Sequence, residues 1–186
     1  MKKLLNWWRW EGKNLHREIY TGIKNLIRWA PVIWKDRDWD DHYIWEILKT
    51  KLRNQAEHIG KNGHHVNAER DAERMMLCVR LIDKIQSEYY QSECMDYCID
   101  EFHWDNIEDK PDYVQLRIEK ISDNFQDYFD KYRLTYIDVM TRPKDKLIFS
   151  NNSNMHIAMN IANINADRAK TLLFKILNKH ITSWWD

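Results

Sequence analysis

Apolar residues recur three or four positions apart along most of this chain, the period of helices that each bury one face. Between Gly12 and Trp29 they are Leu15, Ile19, Ile23, Leu26 and Ile27, a single helical face that stops before Pro31. A second helix is predicted from the N-cap Asp38, with Asp40 and Asp41 in a first turn where carboxylates favour the positive end of the dipole. Along it Trp39, Tyr43, Ile44, Ile47, Leu48, Leu52, Ala56 and Ile59 cover a face wide enough to pack on two sides, and Gly60 and Gly63 end it. A third stripe, Met75, Cys78, Val79, Ile82, Ile85 and Tyr89, predicts a helix over 66–90, so residues 38–90 read as a helical hairpin.

Pro111 suits the first turn of a fourth helix, with Val114, Ile118, Ile121, Phe125, Tyr128 and Tyr132 on one face. Residues 133–149 depart from the helical period. LTYIDVM and KLIF are short β-rich runs around the turn-forming TRPKD, and predict a small β-hairpin. The last and longest helix follows the capping cluster Asn151, Asn152 and Ser153 and carries Ile157, Ile161, Ile164, Leu173 and Leu177. The expected fold class is therefore mainly α, a helical bundle of four to five helices with one small β-hairpin near 133–149. A length of 186 residues, with no internal repeat, fits a single helical domain over 1–186.

Composition narrows the function classes. Only four Gly and three Pro are present, few punctuators for a β-rich fold. Lys and Arg total 29 against 29 Asp and Glu, which removes the basic excess that duplex DNA binding needs. Three cysteines, Cys78, Cys94 and Cys98, do not make a disulfide framework and read as core-facing thiols in a reducing cytoplasm. MKKLLNWW opens like a signal peptide, but Asn6 and Arg9 break the apolar run and no small-residue cleavage site follows, so export is not expected. No apolar run approaches the roughly 20 residues of a membrane span.

Candidate chemistry is fragmentary. Asp36, Asp38 and Asp40 alternate like the start of a calcium loop, but Asp41 stands where that loop needs Gly and Ile47 where it needs Glu. Glu46, Glu69 and Glu73 are the carboxylates that a helical hairpin would bring around magnesium in an all-α nucleotide hydrolase. His58, His64, His65 and His103 have no zinc-ligand spacing, and neither a GxSxG elbow nor a glycine-rich phosphate loop occurs. No catalytic residue, metal ligand or cofactor is therefore expected.

Ten tryptophans remain, several among cations. Indole faces stack on bases while Arg and Lys hold phosphates, so the ligand-binding candidates are Trp7, Arg9, Trp10, Trp34, Arg37 and Trp39. The plainer reading is that such aromatics fill a core or an oligomer interface. Charge is also uneven: seven basic residues oppose two acidic ones over 2–28, and ten acidic residues oppose two basic ones over 83–112. Such a chain can pair ends with middles, within or between subunits, and a homo-oligomer is expected. The basic Trp-rich start also has the composition of a membrane-surface helix, although Trp7, Trp8 and Trp10 do not share a narrow face.

APVIWKDRDWDDHYIWEILKTKL at 30–52, ERDAERMMLCVRLIDKI at 69–85 and the terminal ITSWWD resemble a group of small uncharacterised tailed-phage accessory proteins. That resemblance covers most of the chain and implies a viral accessory protein in the cytoplasm of a bacterial host. With no catalytic set, the expected role is non-enzymatic: sequestering an anionic nucleotide-type small molecule, such as a cyclic-nucleotide signal of host anti-phage defence. A magnesium-dependent hydrolase and a structural or partner-binding phage protein are the alternatives.

Overall fold

The computed structural model describes residues 13–37, 39–63, 66–107, 110–149 and 153–184. The described residues form seven α-helices and one two-stranded sheet, a mainly α fold with a small β-hairpin. In order they are α1 (Lys13–Ile33), α2 (His42–Asn62), α3 (Ala68–Gln86), α4 (Tyr89–Met95), β1 (Cys98–Ile107), β2 (Lys110–Asp123), α5 (Phe125–Lys131), α6 (Arg133–Thr141) and α7 (Asn154–His180). The backbone divides into two compact units, 1–51 and 52–186, so α2 begins in one and ends in the other.

In the first unit α1 is exposed along nearly its whole length, with Trp29 and Val32 half-buried. The Asp40 carboxylate accepts a hydrogen bond from the His42 backbone N–H at 2.9 Å, so capping comes from Asp40 and α2 begins four residues later than the predicted Asp38. Asp38 itself lies outside the described residues.

The second unit is built on α7, against which α3, α4, α5 and α6 all pack. Its buried residues include Ile157, Ala158, Ile161, Ala162, Ala169, Leu173 and Leu177, and the alanines let neighbouring helices approach closely. Ser153 accepts the His156 N–H at 3.3 Å and starts this helix where the sequence places its cap. Cys94, Phe125, Tyr128, Phe129 and Val139 complete the cluster. Cys78 and Cys94 are buried thiols, each pushed up to about 11 by desolvation, as suits inert core residues.

Three expectations are corrected. The stretch 111–132 is not one helix but β2 followed by α5, and the sheet is an antiparallel hairpin pairing Trp104 with Leu116 and Asp105 with Gln115. Val114 and Leu116 alternating with Gln115 and Arg117 have the period of a strand, which the wider helical spacing of the same residues masks. The β-hairpin expected at 133–149 is instead α6 and a 3₁₀ turn at Lys144–Lys146. There tertiary contacts override β propensity. Thr135 donates to the buried Asn165 at 3.1 Å, and Arg168 donates to Thr135 and Asp138 at 2.6 and 3.0 Å. The extended backbone at 148–149 pairs with a side chain, since Asn160 accepts both N–H groups and donates to the Phe149 carbonyl at 3.0 Å. Finally, the helix expected over 66–90 breaks at Glu88, whose φ of 48° is left-handed and costs about 1 kcal/mol for a residue with a Cβ.

Candidate functional site

The buried stripe of α3 runs through Met75, Cys78, Val79 and Ile82. By helical geometry the opposite face is left to Glu69, Glu73, Met76, Leu77 and Arg80. Near its start α3 meets the end of α2 at glycine: a Cβ on Gly60 would lie 3.5 Å from that of Ala72. One turn on, a Cβ at Gly63 would come within 2.4 Å of the Ile59 carbonyl oxygen and 2.7 Å of the Ala68 Cβ, so glycine alone permits this tight turn between the helices.

Between these helices opens a groove of about 590 Å³. Gly60, Ala72, Met76 and Leu77 contribute its apolar lining, and Arg70, Arg74, Arg80, Glu69 and Glu73 its charges. Arg74 is tied to the buried Asp71 carboxylate at 2.8 Å. Arg70 and Arg80 have no hydrogen-bonding or ion-pair partner among the described residues. Desolvation first, then Arg74 and Lys179 and more weakly Arg70, hold the His180 imidazole below its ordinary value, against an opposing push from Asp71. A groove of this size with free guanidiniums over an apolar lining can take a phosphorylated, base-bearing molecule.

A second polar constellation is closed. The buried Glu93 on α4 accepts from Tyr89 at 3.0 Å, Lys131 at 2.5 Å and Tyr132 at 2.6 Å. Burial alone would raise its pKa, but the hydrogen bonds from Lys131, Tyr132 and Tyr89 outweigh that and hold it below the ordinary carboxylate value. With three donors engaged it clamps α4 to the α5 end.

The tryptophan candidates fall elsewhere. Trp34 and Trp39 are 86% and 83% exposed, and Arg37 donates to the neighbouring Asp36 carbonyl at 2.9 Å. A cleft of about 410 Å³ lies nearby, lined by Pro31, Val32, Lys35, His42, Tyr43 and Glu46, and none of the three lines it. Trp7, Arg9 and Trp10 lie outside the described residues, as do His64 and His65. Glu46 pairs with Lys49 while Glu69 and Glu73 line the groove, and no three metal-ligating side chains gather among the described residues. Arg70, Arg74 and Arg80 went unrecognised in the sequence, although ERDAER places two arginines one helical turn apart.

Comparison with known proteins finds no matching family, no matching curated protein and no matching solved structure. No helix among the described residues is long and apolar enough to cross a membrane.

Proposed function

We propose that this protein is a non-enzymatic binder that sequesters an anionic, nucleotide-type small molecule in the groove along α3. As a phage accessory protein in a bacterial cytoplasm, its ligand would be a cyclic-nucleotide signal of host anti-phage defence. The observation that carries this reading is the pair of guanidiniums, Arg70 and Arg80, left without a carboxylate partner among the described residues in a groove of nucleotide size. Arginine meets phosphate oxygens through a planar fork and also stacks on bases. Ala72, Met76 and Leu77 offer apolar area for a base. Glu69 and Glu73 would repel phosphate, so their place in the complex is at amino or imino N–H groups of the base, which a carboxylate accepts.

Titration with a panel of cyclic di- and trinucleotides, read by melting temperature and calorimetry, tests the proposal. Ligand at a hundredfold excess over Kd stabilises by about 2.7 kcal/mol, a readily measured shift. Arg70→Ala and Arg80→Ala are expected to weaken binding at least about tenfold, the loss of one charge-assisted contact, while Trp34→Ala and Trp39→Ala leave it unchanged. The reverse result moves the site to the tryptophans, and no response to any panel member sinks the proposal. Ligand recovered intact after denaturation fits sequestration; magnesium-dependent cleavage products would establish the hydrolase instead.

A further inference from the structure

The groove along α3 is lined wholly from within 52–186, and its free charges are balanced. Arg74 is held by Asp71, which leaves Arg70 and Arg80 against Glu69 and Glu73. Glu73 stands one turn from Arg70, within reach of an i, i+3 pair, yet none of these four side chains hydrogen-bonds or pairs with another described residue. A bare polyphosphate gains nothing net from such a lining, because each guanidinium that attracts it is matched by a carboxylate that repels it. The occupant must bring N–H donors for the acids as well as oxygens for the arginines.

Of the two acids, Glu69 lies in the first turn of α3, where the helix dipole already favours a carboxylate. Glu73 is one turn further on, beyond that effect, and one turn before Met76 and Leu77, the apolar side chains on which a flat base would rest. Among the common bases guanine alone carries two adjacent N–H donors, N1–H and the 2-amino group, for the two oxygens of one carboxylate. Adenine and cytosine set a ring-nitrogen lone pair beside the amino group, and uracil and thymine flank their N–H with carbonyls, so each repels one carboxylate oxygen. Guanine also offers O6 and N7, the pair of acceptors that an arginine fork meets best. We infer that the ligand of this groove carries guanine, with Glu73 at N1–H and the 2-amino group, Arg70 at O6 and N7, and Arg80 at a phosphate. This preference rests on the groove being the site of nucleotide sequestration, and it makes Glu73 the residue that sets which base is held.

Calorimetric titration of the full chain with cyclic dinucleotides that differ only in their bases tests the assignment. Cyclic di-GMP is expected to bind at least about tenfold tighter than cyclic di-AMP, and removing the 2-amino group alone, as in cyclic di-IMP, should cost about tenfold. Glu73→Gln alters an exposed side chain, so it should fold as the wild type does. It should also reverse the preference, because a glutamine amide accepts from the adenine 6-amino group and donates to adenine N1. Glu69→Gln should leave the preference as it is. Equal binding of cyclic di-AMP and cyclic di-GMP overturns the guanine assignment while sequestration stands, and so does a Glu73→Gln variant with the wild-type preference. If no cyclic dinucleotide binds, both fall.

Discussion

α7 and α1 share one pattern, apolar residues three and four apart over 27 and 21 residues, yet α7 buries its stripe under four other helices and α1 leaves its own open. The stripe of α7 mixes Ile and Leu with Ala158, Ala162 and Ala169, so backbones approach closely. Its buried polar positions are also met from outside: Asn160 by the backbone at 148–149 and Asn165 by Thr135. The stripe of α1 is dominated by large Leu and Ile, with Arg17, Lys24 and Arg28 toward the opposite side of the helix. A hydrophobic period thus defines a face without naming what covers it.

Deleting side chains from the two stripes tests that contrast most strongly. Ile161→Ala on α7 removes a fully buried side chain and is expected to cost about 2–5 kcal/mol, read as a lower urea midpoint. Glu93→Gln, beside the same core, removes a charge held by three donors and should cost about 1.5–3 kcal/mol near neutral pH. Because the folded state lowers the Glu93 pKa, its contribution is fully present above the ordinary value of 4.5. It is lost as pH falls below that toward the depressed folded value. Wild type should therefore lose stability over that acid range more steeply than Glu93→Gln, and parallel pH profiles would remove Glu93 from the account. The smallest effect belongs to Leu26→Ala on α1, within about 0.5 kcal/mol for the dilute protomer, since the side chain is already exposed. A loss as large as that of Ile161→Ala would mean that α1 is covered.

Local chemistry was legible where a residue acts on its own neighbours. Ser153 starts α7 and Gly63 follows the end of α2, because a cap or a missing Cβ works within one turn. Glu88 was not legible, since no Gly or Pro marks its left-handed backbone and α4 must pack on α7 to hold it there. The strand at 110–123 was ambiguous for another reason: Val114 and Ile118 satisfy a helical spacing and an alternating one equally well, and pairing with β1 decides between them. For the candidate site, the charges of Arg70, Arg74 and Arg80 were visible. The groove was not, because it exists only where Gly60 brings α2 against Ala72.

By itself the sequence determined a mainly α chain, the Ser153 cap, the stop at Gly63, the core-facing thiols Cys78 and Cys94, and an uneven charge along the chain. These are properties of single residues and short periods, carried by backbone geometry and local electrostatics. Tertiary structure alone decided that 98–123 pairs as a hairpin, that β-rich 134–140 winds into α6, and which arginines share a groove. Each of those outcomes compares contacts between residues distant in sequence, and that energy is absent from any local window.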